Sequence, residues 1–79
     1  MVRYILPIEI QSLEEGGYLA RSTALPGFLV QADTVEEVVN LAPGVAQTLI
    51  EAMQEKGIAL PETLHMVEPP FRADLLVPV

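Results

Sequence analysis

The hydrophobic period of this chain switches from two residues to between three and four at Asp33-Thr34, and switches back after Gly57. That switch allows one long amphipathic helix framed by short strands and little else. Asp33 or Thr34 can be the N-cap, and Thr34 followed three residues later by Glu37 forms a capping-box signature. Val35, Val38, Val39, Ala42, Ala46, Leu49, Ile50 and Met53 then recur at helical spacing, while Glu36, Glu37, Asn40, Gln47, Glu51 and Gln54 fall elsewhere. Acidic residues near the start and Lys56 near the end both suit the helix dipole, and Gly57 suits the position just past it. Pro43 and Gly44 interrupt the pattern. An interior proline loses one backbone bond and clashes with the preceding turn, at a cost of about 3 kcal/mol, so a kink or a break is expected. Because the apolar stripe stays in phase across Pro43, the kink is favoured.

The flanking segments read as strands. From Val2 to Ile10 the even positions Val2, Tyr4, Leu6, Ile8 and Ile10 are apolar, which predicts one strand with one buried face, with Pro7 at an edge, bulge or strand end. Gln11 to Gly17 reads as a hairpin loop ending in two glycines. Tyr18 to Thr23 is the second strand, with Tyr18 and Ala20 on one face and Leu19 and Arg21 on the other. Leu25-Pro26-Gly27 suits a type II turn, because proline presets φ and glycine accepts a positive one. A third strand, Phe28 to Ala32, leads to the helix, and a fourth runs from Thr63 to Val67 with Leu64 and Met66 inward until Pro69 and Pro70 stop it. Phe71, Leu75, Leu76 and Val77 belong to a last apolar segment, expected to pack on its own domain or on a neighbouring chain and offering a possible extra strand. The predicted fold is α+β: an antiparallel βββαβ sheet with one long helix on one face and the other face open.

Size and composition narrow the function. Seventy-nine residues make a single domain, 1–79, with a limited core; cysteine is absent, so neither a disulfide nor a thiolate metal site reinforces it. Association with another copy is therefore expected. A hydrophobic content of 51% excludes disorder for most of the chain. No apolar run reaches the roughly 18 residues of a membrane span, and the opening MVRYILPIEI lacks signal-peptide features, so no membrane partner and a cytoplasmic location are expected. Four Lys or Arg against eleven Asp or Glu give a net charge of −7. Such a field repels phosphate backbones and suits basic proteins, so direct nucleic-acid binding is not expected.

No residue set points to catalysis. Two-metal nuclease chemistry needs carboxylates converging within about 4 Å of paired ions. Glu9 and Asp33 are the candidate neighbours, whereas Glu14, Glu15, Glu36 and Glu37 are accounted for by a loop and a helix cap. His65, the one histidine, has no second histidine or cysteine to support it and is expected at the surface. Gly16-Gly17 joins two strands and opens no helix, so it is not a phosphate loop. No cofactor, metal or enzymatic activity is expected. Tyr18, Arg21, Leu25, Pro26 and Gly27 are the candidate partner-contact residues, and Phe71, Leu75, Leu76 and Val77 the candidate oligomer contacts.

Taken in order, Tyr4, Gly16-Gly17-Tyr18, Leu25-Pro26-Gly27 and Asp33-Thr34-Val35-Glu36-Glu37-Val38 resemble the HicB antitoxin family. Three departures stand out: Ala32 replaces the family's usual glycine, Val38 its usual small residue, and Pro43 lies within the helix. The helix-turn-helix or ribbon-helix-helix segment that many members append is not found in these residues. The resemblance implies a partial ribonuclease-H-like fold without catalysis of its own, assembled as a dimer or tetramer. It further implies that the chain neutralises a small basic HicA-type RNA-cleaving toxin by covering the toxin's histidine. Two alternatives stand beside it: an orphan self-associating structural or regulatory domain, and a metal-dependent nuclease.

Overall fold

The computed structural model describes residues 2–79. Its elements are β1 (Arg3–Ile5), β2 (Glu9–Ser12), β3 (Tyr18–Arg21), β4 (Leu29–Ala32), α1 (Val35–Glu55) and β5 (His65–Val67). This is an α+β arrangement in which the helix lies across β3 and β4. The strands form two antiparallel sheets, a three-stranded one in the order β2-β3-β4 and a two-stranded ribbon of β1 with β5.

That division corrects the expected single sheet. The first strand ends at Ile5 and a second begins at Glu9, because Pro7 has no N–H for a ladder. The Pro7 carbonyl instead accepts a 2.6 Å hydrogen bond from the Ser22 hydroxyl, whose oxygen in turn accepts from the Ala24 N–H at 3.1 Å. The crossover between sheets is thus tied to the segment that leaves β3. The fifth strand pairs with β1, placing Tyr4 opposite Met66, and does not extend the three-stranded sheet. Met66 is exposed, contrary to the inward position expected of it; Leu64, just before the strand, is the buried residue. No strand forms beyond Val67 among the described residues.

Elsewhere local chemistry is realised as the sequence predicts. The hairpin from β2 to β3 turns at Leu13–Gly17, where the Leu13 N–H donates to Gly17 and the Gly16 N–H donates to Leu13, both at 3.0 Å. Gly17 has a φ of +84°, and a Cβ there would meet the Ala32 carbonyl oxygen at 3.0 Å, so the hairpin passes β4 too closely for a side chain. At Leu25-Pro26-Gly27-Phe28 the Phe28 N–H donates to the Leu25 carbonyl at 3.2 Å and Gly27 has a φ of 81°, as a type II turn requires. Thr34 caps the helix, its hydroxyl accepting from the Glu37 N–H at 3.1 Å. The far end closes in a Schellman motif: Gly57 donates to Gln54 at 3.1 Å, Ile58 donates to Met53 at 2.8 Å, and Gly57 has a φ of 70°.

Between those caps the helix runs unbroken through Pro43. Pro43 is exposed, so its ring displaces no core residue. The core consists of Ala20, Leu25, Phe28, Val30, Val38 and Ala42, with Leu6, Ile10, Tyr18, Val45, Leu49, Ile50 and Met53 packed around it. Small Ala20 and Ala42 let sheet and helix approach, while Leu25 and Val38 are the largest fully buried side chains. Val39, assigned to the buried stripe from its spacing, is 42% exposed. Val45 takes a core-facing place that the spacing did not give it.

Urea unfolding followed by circular dichroism should rank four substitutions. Leu25→Ala is expected to cost about 2–5 kcal/mol and Thr34→Ala about 1 kcal/mol. Gly17→Ala should cost more than Gly16→Ala, because both glycines have positive φ but only at Gly17 would the added methyl meet backbone.

Candidate functional site

Strand alternation sorts the three-stranded sheet into two faces. The register aligns Ile10, Ala20 and Val30 in one row and Ser12, Tyr18 and Ala32 in another, and these form the face beneath the helix. The opposite face carries the rows Glu9, Arg21, Leu29 and Gln11, Leu19, Gln31. All of the latter except the half-buried Leu19 are exposed, and Leu29 keeps 57% of its surface open. Nothing from residues 2–79 covers this face. Gln11 Nε2 donates to Glu9 Oε1 at 2.8 Å, a surface contact that aligns the two side chains along the sheet edge. With Pro7, Ile8, Arg21 and Thr23 they line a shallow concavity of about 320 Å³.

The residues expected to make one contact surface are divided among three environments. Arg21 lies on the open face, where its guanidinium is free to meet a partner. Tyr18 lies on the other side of the same strand, half-buried against the core, so it does not join Arg21. Leu25 is 0% exposed and presents nothing to a partner, its side chain having turned inward to fill the core. Pro26 and Gly27 are exposed at the turn, with Gly27 beside Leu49 at the end of the helix-covered layer. Gln11, Leu29 and Gln31, which were not singled out from the sequence, share the open face with Arg21, as does Glu9, which was considered only for metal chemistry. The two-residue period of β2, β3 and β4 was the signal that would have found them.

The carboxylates do not converge. Glu9 shares a row with Leu29 across β3, whereas Asp33 lies four residues further along β4 and beyond its end. Two strand spacings and four residue rises place their backbones roughly 15 Å apart. The two candidates for a shared site therefore stand apart. No group of three or more His, Asp or Glu residues comes together among the described residues. His65 is exposed on β5, opposite Ile5 of the ribbon.

A second surface lies between the ribbon and the helix. Val2, Tyr4, Leu6 and Ile8, the even positions of the first segment, face Val39, Ala42, Pro43, Ala46 and Ile50 across a groove of about 840 Å³. Leu64 forms part of its wall, and Arg3, Gln47, Glu51 and Gln54 supply its polar rim. The even-numbered apolar face is thus real, but only Leu6 and Ile10 press on the core. Beyond β5 the chain passes Arg3, whose guanidinium carbon lies 5.3 Å from the centre of the Phe71 ring, a cation–π contact. From there Leu75, Leu76 and Val77 are 63–82% exposed. The start of the apolar segment thus meets its own domain at Phe71, whereas Leu75, Leu76 and Val77 pack on nothing in it. No helix is long and apolar enough to cross a membrane among the described residues.

No family model, curated protein or solved structure matches this chain.

Because Arg21 and Leu29 touch nothing in the core, Arg21→Ala and Leu29→Ser should each change unfolding stability by no more than about 0.5 kcal/mol. Tyr18→Ala, on the opposite face, should cost at least about 1 kcal/mol. Thermal and urea melts of the three variants separate an open docking face from a structural one.

Proposed function

We propose that this chain is a HicB-like antitoxin module that occupies a small basic RNA-cleaving toxin of the HicA type and performs no catalysis. The observation that carries the reading is a three-stranded sheet with a helix on one face and the other uncovered. That free face mixes Glu9, Gln11, Arg21 and Gln31 with the apolar Leu29, the polar-and-apolar blend of a non-obligate interface. The HicB-like motif order supports it, and so does the acidic balance of −7, which would steer a basic partner toward the chain. In this reading the fold is a partial ribonuclease-H-like one used as a scaffold. The toxin's histidine is buried against the sheet, so substrate RNA is excluded by occlusion. The chain acts in the cytoplasm and contacts no nucleic acid directly.

A second reading is favoured by a separate observation, the exposed run Leu75, Leu76 and Val77. In it the chain is a self-associating structural or regulatory domain with no toxin to bind. Self-association belongs to both readings.

Titrating the chain into a purified HicA-type toxin should abolish RNA cleavage; cleavage that persists at saturating chain would end the antitoxin reading. Leu29→Asp with Arg21→Glu, which should leave the fold intact, is expected to weaken inhibition at least tenfold. Raising salt from low to physiological strength should slow association, since the attraction between unlike net charges is screened.

A further inference from the structure

We infer that the groove between the β1–β5 ribbon and the helix receives the Asp74–Val79 segment of a second copy, in a reciprocal exchange that makes a twofold dimer. The inference rests on the self-association common to both readings above, and it holds whether or not a toxin is bound. One chain carries both halves of the contact, an apolar groove of about 840 Å³ and, beyond Phe71, apolar residues left exposed.

Dimensions agree. From Val39 to Gln54 the helical wall of the groove spans about 22 Å at the α-helical rise. Asp74 to Val79, six residues in extended form, reach about 20 Å. Pro78 favours that extended form and donates no backbone hydrogen bond, so the segment can lie against side chains without a strand partner.

The size of the contact also agrees with a dimer. The six residues Asp74–Val79 and the fourteen lining the groove would both lie on each protomer's side of the interface. That matches the roughly 20–30 residues a side of a stable interface. A single docked tail would supply about half of it, and reciprocity supplies the rest.

Charge sets no obstacle despite the −7 of each copy. The segment carries Asp74 and is preceded by Arg72, and the groove rim carries Glu51 and Arg3, so each side offers a partner of opposite sign. Arg3 holds Phe71 at the groove's rim within one copy, and the segment leaves that point with Leu75 and Val77 82% and 71% exposed. Its apolar side chains are therefore left uncovered by its own copy.

Sedimentation and cross-linking of the 79-residue chain test this. The unmodified chain should sediment as a dimer, and Leu75→Asp/Leu76→Asp or Val39→Asp should each weaken dimerisation at least tenfold while circular dichroism stays unchanged. Because the chain has no cysteine, Gln47→Cys and Leu76→Cys can be made singly, mixed and treated with a short bismaleimide, which tolerates a small error in register. Cross-linked heterodimer from the mixture is expected. A monomer at high concentration would overturn both the inference and the self-association it rests on. A dimer indifferent to the tail and groove variants would overturn the inference alone. Linkage only within single chains of the Gln47→Cys/Leu76→Cys double variant would also overturn it, by showing the groove filled by its own segment. Toxin inhibition is read in a separate assay, so its failure leaves this result standing.

Discussion

Pro7 is the constraint on which the architecture depends. A residue without an N–H cannot continue a ladder, and the ring fixes φ, so an apolar run long enough for one strand becomes two. Its halves then pair in different sheets, β1 with β5 and β2 with β3. The bond from the Ser22 hydroxyl to the Pro7 carbonyl holds the break in place by tying it to the end of β3. Had the strand run straight, its even-numbered face would have lain in one sheet under the helix. Instead Val2, Tyr4 and Ile8 stand off from it and a groove opens.

What could be read from sequence was whatever short-range chemistry decides. The Thr34 cap, the turn at Leu25-Pro26-Gly27 and the Gly57 terminus each depend on a handful of adjacent residues, and each takes the form that those residues dictate. The helix stripe was equally legible because its period is a property of one element, although Val39 drifts off it and Val45 onto it. Partnership between strands was not. Nothing in His65–Val67 says that it should pair with Arg3–Ile5, since that choice is made by distant parts of the chain.

The candidate contact residues do not share one surface, for a different reason. Tyr18 and Arg21 are three apart on a strand, an odd spacing that sends them to opposite faces, so their separation was available from the period alone. Leu25 was harder. A leucine preceding Pro-Gly looks like turn surface, yet with so few large side chains in a small domain the fold uses it to fill the centre. The open face that replaces this set was recoverable by carrying the alternation across all three strands, provided their pairing was known.

Strand order also has a bearing on motion. Of the five strands only β3 is flanked on both sides; β1, β5, β2 and β4 each expose one rim of backbone amides and carbonyls. None is longer than four residues, which leaves a passing extended chain little to latch onto. Breathing of the molecule should follow the same division, with β3 and the centre of the helix opening only when the whole domain unravels. The two-stranded ribbon, tethered by few buried groups, opens far more often, so local fluctuation is concentrated along one wall of the groove.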